Sequence, residues 1–344
     1  MLFISVLLIT ACDRPEPKRP GEPTDRISLA KKLLAEAGYP DGKGFPKAEV
    51  LYNTSESHKK IAAAIQEMWR KNLGIEVELR NTEWKVYLDR RTKLDFQIAR
   101  AGWIGDYRDP NTFIDLYASW SGNNNTGWKN QGYDDLVIAA GKEPNAAKRA
   151  ELLAKAETIL MDELPVIPVY FYVTHNMWKP YVKGMFSNLM DTHPLNEVVA
   201  EGRDVFRINN GAEPPTLDPN LMRGVPEGRI AASIFEGLMN VHPKTLDPLP
   251  GVAARVDVSE DGKTYTFHLR NCQWSDGKPV AAQDFVDSWR RILNAKTASD
   301  YASQLYYVKN GGAFHEGKLK DDTQIGAQAK GDRTLVVELE NPCT

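Results

Sequence analysis

Residues 99–110, ARAGWIGDYRDP, set arginine, tryptophan, tyrosine and two aspartates among small residues. Groups of this kind can cap and turn a chain, the commonest use of Asp in a loop, or they can hold something charged. The segment follows an alternating run, FQIA, that predicts a strand, so it leaves a sheet at a strand's carboxyl end. Ligands bind there in open α/β sheets, and the position favours a site. Catalytic signatures are missing: there is no G-x-S-x-G, H-E-x-x-H, C-x-x-C or P-loop, and the 6 His are dispersed. PDGKG and EDGK read as turns rather than phosphate loops or EF-hands. Binding without catalysis is the expectation, with no cofactor and no metal.

The elements that must position this loop follow from periodicity. Helices are predicted over 28–37, 58–74 (ending at Gly74), 83–93 and 145–163. Strands are predicted over 48–54, 75–81 and 95–102, with a turn at 39–46. Strands alternating with helices imply an α/β unit with a largely parallel sheet. Further on, PVIPVYFYVTHNMW (165–178) reads as an apolar strand and the segment from residue 196 as the entry to a new domain. A helix is expected over 229–241, strands over 265–270 and 333–340, and a turn then a helix across 274–293 capped by Asp284 or nearby polar groups.

The 344 residues allow two or three domains, and 42% hydrophobic with 26% charged residues is ordinary for a globular chain. A net charge of −3, with basic runs no longer than HKK and DRR, excludes the basic field that nucleic-acid binding needs. The opening MLFISVLLITAC is shorter than the ~20 apolar residues that span a bilayer and reads as a signal-peptide core. Ile9-Thr10-Ala11-Cys12 resembles a bacterial lipobox, with Cys12 the residue to be lipidated, and the Pro-rich stretch 13–25 suits a tether. No Lys or Arg precedes the apolar run, and an N-terminal buried strand is the alternative. Cys272 and Cys343 match no metal or redox spacing and are expected to be incidental.

Longer stretches resemble one family. LAKKLLAEAGYPDGKGFP, LYNTSESHKK, NTEWKVYLD, ARAGWIGDY and PVIPVYFYV are similar to the C-terminal region of the peptide-binding proteins of bacterial ABC importers, extracellular solute-binding protein family 5. RINNGAEPPTLDP, GVPEGRIAASIFEGL, TYTFHLR, WSDGKPVAAQDFVDSWRRIL and TASDYAS resemble its N-terminal region. The order is reversed relative to the family, and the family's middle is missing. The resemblance implies an α/β fold, periplasmic binding protein-like type II, two-lobed with mixed sheets, here circularly permuted and shortened. Chain ends that lie in one lobe are what permit such permutation. The implied division is a signal peptide and lipobox at 1–12, a tether at 13–25, and a C-terminal-type ligand-binding lobe at 26–163. Hinge-lobe strands across the junction at 164–235 and a truncated N-terminal-type domain at 236–344 complete it.

The resemblance also implies roles. Asp106 would accept a ligand's α-ammonium, the alternative being an Asx-turn. Arg100, Arg91 and His58 would meet the ligand's carboxylate at different peptide lengths; a helix-surface pair with Asp89 is the alternative for Arg91, and a helix N-terminal polar residue for His58. Trp84 and Trp103 would wall side-chain pockets, unless they are core. Tyr301, Arg223, Gly224 and Val225 match the other lobe's contributions, although Arg223 stands where an acidic residue is expected. The implied partners are an oligopeptide, an ABC permease complex and a membrane reached through a lipid anchor, in the periplasm or cell envelope. The competing expectations are a rearranged fragment with no competent cleft and, more remotely, a peptide hydrolase.

Overall fold

The computed structural model describes residues 26–342. The expectations for the signal peptide, the tether, Cys12 and Cys343 lie outside the described residues. The chain groups into two units: residues 26–83 with 96–101, and residues 84–95 with 102–342.

In the first unit, α1 (Arg26–Glu36) precedes β1 (Ala48–Asn53), α2 (Glu56–Leu73), β2 (Val77–Thr82) and β3 (Ile98–Ala99). The three strands form a parallel sheet in the order β2-β1-β3, as the alternation of strands and helices requires. Val50, Ile75 and Val77 form its core. α2 stops at Gly74, whose φ of +70° is left-handed. A Cβ there would lie 2.3 Å from the Asp41 carbonyl oxygen, so only glycine lets the helix end against that turn. β3 is shorter than predicted, although the Arg100 N–H still donates to Leu51 O at 2.8 Å.

The second unit carries α3 (Trp84–Thr92), α4 (Asn111–Ile114), α5 (Gln131–Lys142) and α6 (Ala146–Glu163). α5 and α6 bury Tyr133, Val137, Leu153 and Leu160 together. Asn145 caps α6 by accepting from the N–H groups of Ala147 and Lys148. β4 (Val182–Lys183) and β5 (Val199–Ala200) make a short antiparallel pair. Then come α7 (Val225–Ile234), β6 (Met239–Val241), β7 (Pro248–Pro250), β8 (Ala253–Val258), β9 (Thr264–Leu269), α8 (Ala282–Leu293), α9 (Gly311–His315), β10 (Ala327–Ala329) and β11 (Thr334–Glu338). The last four of these strands form an antiparallel sheet ordered β10-β11-β9-β8. Its core adds Val286 and Leu293 from α8, which begins where Asp284 accepts from the Ala281 N–H at 3.0 Å. Parallel and antiparallel sheets in one chain bear out the α/β class with mixed sheets.

Two predicted elements differ. The helix expected over 229–241 begins earlier, at Val225 with Pro226 in its first turn, and ends at Ile234. Beyond it the chain extends, because the carbonyls of Gly237 and Leu238 accept from Val252 and Ala253 at 2.9 Å and β6 pairs with β7. The apolar stretch 165–178 joins no sheet. Val166 packs against the core between α5 and α6, but beyond it the side chains face outward, Phe171 90% and Met177 96% exposed, and Val205, Phe206 and Ile208 are also exposed. Apolar residues on both faces suit a strand enclosed by a sheet on either side; no described strand pairs with this one, so the pattern has no ladder to enter. Extended, unpaired backbone is what proteases bind. Brief chymotrypsin treatment is expected to cut between 169 and 187 before it cuts within residues 253–338, as read by mass spectrometry of the first fragments.

Candidate functional site

The loop after β3 is fixed at both ends by its own polar groups. The Asp106 N–H donates to Thr112 Oγ1 at 2.9 Å. Asp109 accepts from the Asn111 N–H at 2.9 Å and is gripped by both terminal nitrogens of Arg149 at 2.7 and 2.8 Å. This pairing holds the Asp109 carboxyl below its usual range even though burial works against it. Tyr107 donates to Asp115 at 2.6 Å, and Asn111 Nδ2 donates to both, each at 3.1 Å. Tyr107, Asp109, Asn111, Arg149, Gln304 and Tyr307 line a cavity of about 240 Å³.

Asp106 is treated differently from its neighbours. Its Oδ1 accepts from the Tyr301 hydroxyl at 3.3 Å, and no Lys, Arg or His among the described residues pairs with it. Burial, with a smaller push from the Asp115 charge, raises its pKa to about 6 against the pull of the Tyr301 hydrogen bond. Asp115 is raised to about 6 as well, chiefly by burial. The Tyr301 hydroxyl is pushed upward by burial and by Asp106, so it stays a donor. Trp103 stacks on Tyr301 with ring centroids 6.4 Å apart and planes 18° from parallel.

The same cluster continues through Asp300, which pairs with Arg223. Arg223 also donates to Thr92 Oγ1 at 2.6 Å, at the end of α3. α3 carries Trp84, stacked on Tyr87 at 5.6 Å, and Arg91, whose guanidinium lies 5.5 Å from the Tyr87 ring centre. Asp89, the surface partner considered for Arg91, is held by Lys93 at 2.9 Å. Trp84 packs over the α-carbon of Gly224, where a Cβ would meet Trp84 Cζ2 at 2.9 Å. Val225 opens α7 with its side chain exposed. The indole nitrogens of Trp84 and Trp103 are both buried without a hydrogen-bond acceptor.

The second unit thus brings together Asp106, Trp103, Tyr301, Arg223, Gly224, Val225, Trp84 and Arg91. His58 and Arg100 belong to the first unit. His58 Nδ1 lies 2.8 Å from Asn53 Oδ1 at the end of β1. Burial and then the Arg100 charge lower the pKa of His58 to about 4, so the imidazole is neutral at neutral pH and Arg100 carries the charge. Sequence reasoning missed Asp300, Thr92, Asp115 and Glu227. Glu227 stands three residues beyond Gly224 in RGVPEG, where an acid reads as an ordinary first-turn residue. Among the described residues, no three His, Cys, Asp or Glu side chains come together to hold a metal, and no helix is long and apolar enough to cross a membrane.

The model of bacterial extracellular solute-binding proteins, family 5 Middle, matches residues 12–125 and 247–344. The oligopeptide-binding protein OppA of Bacillus subtilis is 46% identical over 156 residues, covering 45% of this chain and 29% of that protein. The periplasmic murein peptide-binding protein MppA of Escherichia coli is 39% identical over 207 residues, covering 59% of this chain and 37% of that protein. The chain therefore spans between 29% and 37% of the length of these relatives. The solved structure of the Escherichia coli murein tripeptide binding protein MppA aligns with 46% of this chain and 31% of its own, at 43% identity and a TM-score of 0.44.

A proton is bound more tightly by Asp106 in the folded protein, at about 6, than at the ordinary value of 3.8. The folded state is therefore penalised as pH rises through that interval, fully so above about pH 6, and the penalty vanishes below about pH 4. Asp106→Asn is expected to raise the melting temperature near pH 7.5 and to leave it nearly unchanged near pH 4, measured by calorimetry without ligand.

Proposed function

The chain belongs to the bacterial extracellular solute-binding proteins of family 5, and on that premise we propose that it binds oligopeptides and delivers them to an ABC permease for import. The observation that carries this reading is the Asp106 carboxyl, which is held by the Tyr301 hydroxyl, reaches solvent, has its pKa raised to about 6 by the partial desolvation around it, and has no cationic partner among the described residues. Drawing a carboxylate even partly out of water is costly unless it is paired. A peptide's α-ammonium supplies the missing charge, and every unblocked peptide has one. Tyr301 holds the carboxyl in place, while Trp103 and Trp84 offer aromatic area that binds varied side chains with little discrimination.

Arg91 serves the peptide's carboxylate in this reading, its planar guanidinium carrying the charge. Arg100 and His58 are assigned to the carboxylate by family resemblance alone, and the neutral His58 ring spends its one N–H on Asn53. Gly224 and Val225 contribute backbone groups to an extended ligand. The relatives named as oligopeptide- and murein peptide-binding proteins support the ligand class. The periplasmic relatives support a periplasmic or envelope location and a role as a binding protein rather than an enzyme; Cys12 as a lipid anchor rests on the lipobox resemblance of residues 9–12 alone. The type II periplasmic binding protein-like architecture and the reversed order of its regions belong to the same proposal. A match divided into two separate segments is in keeping with that order.

Calorimetric titration with a short peptide and its N-acetylated form tests this. The free peptide is expected to bind at least ~30-fold more tightly, the lower end of what losing one member of a buried charge pair costs. Since Asp106 titrates at about 6 without ligand and must be ionised to hold an ammonium, its affinity for the free peptide falls as pH drops below about 6. Binding near pH 6 then releases a proton, seen as a heat that varies with the buffer's ionisation enthalpy. Equal affinity for the two peptides at neutral pH would overturn the reading.

A further inference from the structure

Glu227 has no part in the charge scheme above, yet it is 1% exposed and its Oε2 has no hydrogen-bond partner. It stands in the first turn of α7. Its carboxyl lies against the α-carbon of Gly224, where a Cβ would come within 2.5 Å of Glu227 Oε2 and 2.9 Å of Trp84 Cζ2. Indole, glycine and carboxyl are therefore packed in one layer with no room for a side chain at 224. The Trp84 Nε1, a donor with no acceptor function, is likewise buried without a partner. The indole N–H already acts on the Glu227 carboxyl as a donor without meeting full hydrogen-bond geometry, and native interiors rarely leave such complementary groups unmatched.

We propose that Glu227 is the positioning residue for Trp84: its carboxylate draws the indole N–H and so sets the wall that Trp84 presents above Gly224. The role of that wall rests on the peptide-binding reading; the contact itself does not. Burial pushes the Glu227 carboxyl above its ordinary range, while its own backbone N–H, then the Trp84 indole and the Arg223 charge, oppose the push. Arg223 is the charged group acting on Glu227, and it is tied to Asp300. Protonation weakens the pull on the indole, so the position of Trp84 follows the ionisation of Glu227.

The test is the Trp84 indole ¹H–¹⁵N resonance of the full chain, assigned by its loss in Trp84→Phe and followed across pH without ligand. In the unsubstituted protein it is expected to move through one transition above the ordinary glutamate range, and in Glu227→Gln that transition is expected to be absent. Affinity for a short unblocked peptide is expected to drop about tenfold in Glu227→Ala, with most of the loss recovered in Glu227→Gln, whose amide oxygen still accepts. An indole resonance that ignores pH in the unsubstituted protein, or titrates equally in Glu227→Gln, overturns the proposal. If the indole titrates through Glu227 in a protein that binds no peptide, the positioning stands and only the peptide reading fails.

Discussion

A carboxyl group taken out of water must be neutralised, by a proton or by a cation, and that requirement organises the loop after β3. Asp109 takes the second route, through the two-pronged grip of Arg149. Asp106 and Asp115 take the first in part, for both are held near a pKa of 6 by burial. The surroundings supply hydrogen bonds to these two groups but no positive charge: Tyr301 to Asp106, Tyr107 and Asn111 to Asp115. Such a loop is less stable than one with paired acids. Rigid donors around the carboxyl mean that little has to reorganise when the charge arrives.

The cationic candidates are tuned by the same physics in the opposite sense. Burial, and then the Arg100 charge, keep the His58 ring neutral at neutral pH, with its Nδ1–H on Asn53. Arg91 spreads over an aromatic face rather than closing a pair with Asp89, which keeps its planar fork from being spent on a surface contact.

Local signals were legible where a single turn or cap decides the outcome. Gly74 ends α2, Asn145 starts α6 and Asp284 ties down the start of α8, each through bonds made within a few residues. The parallel sheet was legible from the alternation of strands and helices. Distant hydrogen bonding was not: Gly237 and Leu238 leave the helical pattern because residues 252 and 253 need acceptors. The stretch 165–178 has a strand's composition, but a strand exists only when another lies beside it. Within the site, Asp106, Trp103 and Tyr301 could be named from the loop and the family resemblance. The isolation of Glu227 could not, because burial at the first turn of a helix depends on what packs there from α3.

Arg223 shows how a local charge change can leave the logic of a site intact. Family resemblance leads to an acid at this position, and an arginine there could have paired with Asp106. Instead the guanidinium is committed to Thr92 and to Asp300, the residue before Tyr301 in the chain. Tyr301 registers all three charges: Asp106 and Asp300 raise it and Arg223 lowers it. One cation and two anions thus share this corner, and the cation is paired with the anion that does not touch Tyr301's hydroxyl. The surplus negative charge falls on Asp106, so the arginine at 223 is balanced by the aspartate at 300 and leaves Asp106 with the Tyr301 hydroxyl alone among the described side chains.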